Sequence, residues 1–333
     1  MTASGVSASG EDSLIARYFR PLATDPGAFN LVDDAAILTS LGDDLVVTTD
    51  AVVEGVHFLA ADPPDTIARK ALRVNLSDLA AKGAAPAGFV LTLALRDADD
   101  AWLSSFARAL GEDAATFGCP ILGGDTVSTP GPLMISITAF GRVPPGRMVR
   151  RTGAKAGDRI CVTGTIGDAA LGLDVLRDGK VAAALADDAA SRVALVGRYR
   201  VPAPRNALAV VVRDHASAAM DVSDGLAGDL AKLCAASGVS ARIEADAVPV
   251  SPATRAALAK GAATLETILA GGDDYEVLCT VPENRLADFL AQAVGTGVAV
   301  TEIGAVLAGS SAPAFVDGQG RTIALSRLSY SHF

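Results

Sequence analysis

The sequence predicts an α+β or mixed α/β chain of two domains, and three observations carry that prediction. Its 333 residues exceed the length at which a single hydrophobic core usually stops growing. β-rich runs alternate with helical periodicities in both halves, with no short-period repeat. Between the halves, Val143–Asp158 is rich in Pro, Gly and Arg, and the strand–helix pattern restarts after it.

In chain order, Met1–Gly10 is small and polar, without basic residues or an apolar run. It reads as part of a disordered lead through residue 12 rather than a signal or transit segment. Ser13–Phe19 has the spacing of a short amphipathic helix, and Asn30–Leu38 places Asp33 and Asp34 in a loop before a short apolar strand. Gly42–Asp44 reads as a turn into Leu45–Phe58, the stretch around which the chain is organised. There Val46, Thr48 and Asp50 alternate with Val47, Thr49 and Ala51, the period of a strand. Thr48 and Asp50 share a face and, with Thr49, offer hard oxygens to a divalent cation. Glu54, Gly55 and His57 leave the same strand end.

Asp65–Lys82 predicts a helix capped by Asp65, with an apolar stripe of Ile67, Ala71, Leu72, Leu76, Leu79 and Ala80 and a stop at Gly83. Asn75 and Asp78 lie one turn apart, either as exposed polar residues or as a shelf for metal or phosphate. Ala87–Leu95 reads as a strand, Ala101–Phe117 as a helix, and Ile121–Thr126 as a strand ending in Gly123, Gly124 and Asp125. That ending is either an ordinary tight turn or a place where backbone approaches a ligand. Leu133–Arg142 alternates as a strand. Val143–Asp158 reads as a linker, with Arg147, Arg150 and Arg151 the only concentrated positive charge.

In the second half, Arg159–Val162 is a strand and Gly164–Asp168 opens a helix to about Arg177, but the glycine pattern is neither G-x-G-x-x-G nor a Walker motif. Ala218–Gly228 ends a strand in Asp221, Ser223 and Asp224, and a helix runs from Leu226 toward Ser237. Ser223 or Asp224 caps that helix; two acids and a hydroxyl beside a helix N-terminus also suit a metal–phosphate group. Ala270–Thr280 repeats the theme with two glycines, Asp273 and Asp274, then a strand alternating Tyr275, Val277 and Cys279.

The charge balance, 28 basic against 38 acidic residues for a net −10, argues against a nucleic-acid partner and requires cations to bridge any anionic substrate. No apolar run reaches membrane-spanning length. The four cysteines are far apart and read as buried free thiols of a cytoplasmic protein. H-E-x-x-H and G-x-S-x-G are absent. Carboxylates, hydroxyls and glycines at element ends remain, an oxygen-only set that selects Mg²⁺ and points to a Mg²⁺–nucleotide enzyme.

The ordered set GVHF, NLSDLAAKGA, GGDT, RRTGAKAGD, DVSDGL, GGDDYE and terminal HF resembles the thiamine-monophosphate kinase family, within the ATP-binding superfamily that includes aminoimidazole ribonucleotide synthetase. The resemblance covers about Ser13 to Phe333. It implies transfer of the ATP γ-phosphate to thiamine monophosphate, several Mg²⁺ ions, and a homodimer paired through N-terminal strands. It further implies an N-terminal domain over 13–146 that binds ATP and Mg²⁺ and a C-terminal α/β domain over 147–333 that covers the site. Position by position, it implies Asp33, Thr48, Thr49, Asp50, Asp78, Asp125, Asp221 and Asp224 as metal ligands. Gly124, Asp125, Arg150 and Ser223 would hold ATP, with Arg151 an alternative to Arg150; His57, Asp273 and Tyr330 would hold substrate. Two departures stand out: Val32 where the family usually has Gly, and Tyr330 where an aromatic residue, often Trp, is expected. Another ATP-dependent enzyme of the superfamily and a non-catalytic Mg²⁺–nucleotide sensor are the competing expectations.

Overall fold

Strand-forming alternation at Asp44–Val53 becomes β1, with Val46 and Val52 buried on one face and Leu45, Val47, Thr49 and Ala51 exposed on the other. The computed structural model describes residues 13–31, 36, 38, 39 and 42–329. The expected lead through residue 12, Val32, the Asp33–Asp34 loop and Tyr330 lie outside the described residues. The chain divides into two compact units, one of residues to Asn75 with Pro86–Arg142, the other of Leu76–Ala85 with residues from Val143 onward.

In the first unit, Ile15–Phe19 is a π-helical turn followed by a 3-10 turn at Arg20–Leu22. Of the apolar strand expected before β1, the described residues Ala36 and Leu38 have no strand pairing. Helix α1, Pro64–Ala81, opens with Pro64, whose fixed φ suits a first helical turn. Asp65 therefore lies inside that turn rather than capping it, where its charge still favours the helix N-terminus. The expected one-sided stripe is replaced by burial nearly all round: from Ile67 to Ala81 only Arg69, Arg73 and Asp78 are not buried. Strand β2 (Ala85–Leu95), helix α2 (Asp100–Phe117), β3 (Ile121–Ser128) and β4 (Met134–Val143) complete a four-stranded sheet in the order β1-β4-β2-β3. β2 and β3 are parallel. Asp99 caps α2 by accepting from Trp102 N at 2.6 Å. Arg69 and Arg73 of α1 both donate to the buried carboxylate of Asp113 on α2.

The second unit is built on β5 (Arg159–Thr163), β6 (Ala218–Val222), β7 (Ser240–Glu244), β8 (Glu276–Val281), β9 (Val300–Leu307) and β10 (Ala314–Val316). Their order is β10-β7-β9-β5-β8-β6, antiparallel except for β10 on β7. Helices α3 (Asp168–Leu176), α4 (Lys180–Ala184), α5 (Ala189–Arg200), α6 (Ala209–His215), α7 (Leu226–Ser237), α8 (Pro252–Ala259), α9 (Leu265–Leu269) and α10 (Glu283–Val294) complete it. Val162, Met220 and Leu278 face one apolar cluster with Leu226 and Leu230 of α7. Cys161, Ala219, Val277 and Cys279 face another with Val212 of α6 and Phe289 of α10. Both faces of the sheet are covered, so β8 is buried at every position instead of alternating. The four cysteines are free and buried, and burial pushes the Cys119 and Cys161 thiols up to about 12.

Val143–Asp158 is tied down rather than a loose linker. Val149 N donates to Lys82 O at 3.2 Å, Arg150 O accepts from Ala219 N at 2.9 Å, and Gly153 N donates to Ser237 Oγ at 3.2 Å. Behind the sheet end, the fully buried Glu276 accepts from Thr163 Oγ1 at 2.6 Å, Arg198 Nη2 at 2.7 Å and Arg205 Nε at 2.6 Å. Removing the carboxylate leaves two shielded guanidinium groups without their counter-ion. Glu276→Ala is expected to cost about 3–5 kcal/mol of unfolding free energy in urea titration.

Candidate functional site

In the first unit, Thr48 and Asp50 share the β1 face on which Val46 and Val52 are buried, and Thr49 points to the other. Thr49 Oγ1 donates to Ile137 O at 3.2 Å and accepts from Thr138 Oγ1 at 3.0 Å, so its hydroxyl is already engaged by β4. Asp50 is held through its backbone: its N–H donates at 3.1 Å to Oδ1 of the fully buried Asn75, whose Nδ2 donates to Ala71 O at 3.1 Å. Asn75 is thus buried, not exposed. It is the buried bracket that fixes β1 against α1.

Past β1, the turn 53–58 turns His57 back on itself. His57 N donates to Val53 O at 2.9 Å, and its Nδ1 accepts from Val53 N at 3.0 Å. An accepting Nδ1 leaves the proton of the neutral ring on Nε2. The buried Lys70 secures the same residue, its Nζ donating to His57 O at 2.7 Å. Glu54, by contrast, is taken by Arg96 at 2.6 Å. Gly124 and Asp125 lie within β3 and pair with Leu91 and Thr92 of β2; Asp125 is exposed. A Cβ on Gly124 would sit 1.9 Å from Leu91 O, so this position admits only glycine.

In the second unit, Asp221 is buried on β6, Ser223 and Asp224 are half-buried beyond it, and Asp78 is half-buried on α1. Neither Ser223 nor Asp224 caps α7; Gly225 occupies that position without a side-chain cap. Instead the fully buried Asp229, in the first turn of α7, reaches back and accepts from Ser223 N at 3.0 Å and Asp224 N at 2.9 Å. Burial pushes the Asp229 carboxyl up, with Lys232 opposing it. Lys232 also pairs with Asp224. Asp273 N donates to Ser223 O at 2.8 Å and Tyr275 N to Val222 O at 2.8 Å, which lays the Gly-Gly-Asp loop along the β6 exit. A Cβ on Gly272 would come within 2.6 Å of Ser223 O, and glycine permits this approach. Asp273 and Tyr275 hold left-handed backbone (φ 72 and 51), and the Tyr275 hydroxyl donates to Asp273 Oδ1 at 3.3 Å. Asp274 turns inward and accepts from Gly167 N at 2.7 Å at the start of α3; burial pushes its carboxyl well up. Arg150 and Arg151 are exposed.

Among the described residues no group of three or more His, Cys, Asp or Glu side chains is placed to hold a metal ion by itself. Sequence reasoning missed Asp229, Lys82 and the Glu276–Arg198–Arg205 group, whose roles depend on burial.

Residues 32–143 match the AIR synthase related protein N-terminal domain, and residues 155–317 its C-terminal domain. A thiamine-monophosphate kinase of Caulobacter vibrioides is 46% identical over 96% of this chain and 89% of its own length. The chain belongs to the thiamine-monophosphate kinase family. The crystal structure of the family member from Stenotrophomonas maltophilia K279a superposes with a TM-score of 0.81 at 37% identity, covering 94% of this chain and 96% of that one. A second family structure, AaThiL complexed with AMPPCP and TMP, has a TM-score of 0.76 at 29% identity, covering 92% of this chain and 97% of its own.

The C-terminal segment is anchored by Glu266 of α9, which accepts from Ser326 N at 2.8 Å and Arg327 N at 3.0 Å. The Ser326 hydroxyl and these amides hold the Glu266 carboxyl below its usual range. Because the folded value is lowered, this anchoring is present above the ordinary glutamate range and is lost as pH falls through the lowered value. Glu266→Gln at neutral pH is expected to speed tryptic cleavage after Arg327 several-fold relative to the parent. Gly124→Ala is expected to force β3 from β2 and lower unfolding free energy by about 1–3 kcal/mol, with turnover falling in parallel.

Proposed function

We propose that the protein phosphorylates thiamine monophosphate with ATP, yielding thiamine diphosphate, as a phosphotransferase with a phosphate acceptor. The observation that carries this reading is the near full-length likeness to thiamine-monophosphate kinases. The acceptor is itself a phosphate, with a second pKa near ~6, and is largely ionised at neutral pH. It therefore needs no protein base, and the obstacle is repulsion between two polyanions. We assign His57 to the substrate phosphate, where a neutral Nε2–H donates without adding charge, and Asp273 and Tyr330 to the organic end. The Gly124 backbone, Asp125, Arg150 and Ser223 would hold ATP.

Every member of the proposed ligand set (Asp33, Thr48, Thr49, Asp50, Asp78, Asp125, Asp221 and Asp224) donates through oxygen, the donor type Mg²⁺ selects. Mg²⁺ is commonly held by one or two carboxylates with water and phosphate completing its shell, a demand this donor set meets. When bound, Mg²⁺ neutralises phosphate charge in the transition state. The chain's own contribution is to fix the carboxylates: Asn75 behind Asp50, and Asp229 behind Ser223 and Asp224. Transfer is direct and in line, without a phosphoenzyme.

The exposed Leu45 and Val47 on β1, an edge strand, favour a second copy of the chain as the partner and hence a homodimer. Among the described residues no helix is long and apolar enough to cross a membrane. The acidic net charge disfavours a nucleic-acid partner, and we assign the enzyme to the cytoplasm.

Purified protein with ATP, Mg²⁺ and thiamine monophosphate is expected to form thiamine diphosphate, and chelation to abolish it; absence of product with Mg²⁺ present rejects the reading. Asp50→Asn and Asp221→Asn are each expected to lower kcat by about 10²-fold or more while leaving the chain folded. Labelled ATP should leave no label on the protein.

A further inference from the structure

Lys82 directly follows α1 and stays within its last turn, its N–H donating to Asp78 O at 2.9 Å. At that i, i+4 spacing the Asp78 and Lys82 side chains lie on one face. The Lys82 ammonium reaches β6, where Nζ donates to Ala219 O at 2.7 Å. Ala219 and Asp221 are alternate residues of that strand and share a face. Lys82 is thereby brought near both carboxylates assigned above to metal. Burial and the charge of Arg151 push its pKa down, while Asp78 and Asp221 push it up, so both acids act on it electrostatically.

We propose that Lys82 is a built-in counter-cation of Asp78 and Asp221, balancing them when they are metal-free and opposing Mg²⁺ entry, so that it sets how much Mg²⁺ the protein requires. The inference rests on the proposed assignment of Asp78 and Asp221 as metal ligands. A neutral donor could satisfy Ala219 O equally well, so the role of Lys82 as a hydrogen-bond donor and its role as a charge are separable.

Thermal unfolding of the nucleotide-free chain, titrated with MgCl₂ at constant ionic strength, separates them in Lys82→Gln, Lys82→Met and Lys82→Arg. Lys82→Gln keeps a donor without the charge, and Lys82→Met tests the same loss should the amide not be accommodated. Both are expected to lower metal-free Tm and to reduce the Mg²⁺ concentration for half-maximal stabilisation by about 3–10-fold, the effect of removing one nearby like charge. Lys82→Arg should follow the parent, and half-saturating Mg²⁺ for turnover should move in the same direction as the thermal data. An unchanged half-saturation in the Gln and Met variants, with a normal Mg²⁺ response in the parent, overturns the role of Lys82 and leaves the metal assignment standing. A parent chain with no Mg²⁺-dependent shift overturns both.

Discussion

A carboxyl group removed from water is costly unless cations or hydrogen-bond donors are buried with it, and Glu276 has two arginines and a threonine as partners. Much of the second unit's site depends on this arrangement. Glu276 begins β8 directly after the Asp273–Tyr275 loop, and its partners come from the end of β5, from α5 and from the segment after α5. Fixing it therefore fixes the root of the loop that carries Asp273. The buried Asp274 ties the same loop to the start of α3 by accepting from Gly167 N and Ala169 N.

The same division of labour recurs throughout. Asp50, Ser223, Asp224 and His57 are exposed or half-buried, and a buried polar residue backs each of them: Asn75 behind Asp50, Asp229 behind Ser223 and Asp224, Lys70 behind His57. Such backing limits how far each of these side chains can move. The left-handed backbone of Asp273 and Tyr275 is held by the hydrogen bonds that their N–H groups donate to Ser223 O and Val222 O.

Most elements were legible in the sequence because hydrophobic periodicity is a local signal. β1, α2 and β4 follow from the alternation or the 3.6-residue spacing of their own residues. The errors arose where a distant segment changed the environment. β8 does not alternate because helices cover both faces of its sheet, and α1 is buried nearly all round rather than along one stripe. The backing residues were illegible for the same reason. The partners of Glu276 lie 71 to 113 positions away. Asp229 resembles any acid in a first helical turn until its burial is known. A hint was present there: an acid inside the first turn of α7, after a Ser-Asp-Gly exit, is placed to reach back to that exit.

The edge of β6 is closed by the chain's own passage. Ala219 meets Arg150 through its N–H and Lys82 through its carbonyl, so this edge offers no open template for a foreign strand. The decapeptide Leu76–Ala85 supplies more than that cap: Leu76 O accepts from Asn206, and the Ser77 hydroxyl donates to Tyr275 O. The second unit is thus discontinuous in sequence, and no single cut releases it whole. A fragment starting at Val143 would lack the plug of its sheet edge and two supports of its loops, which makes this protein a poor candidate for splitting into separately expressed halves.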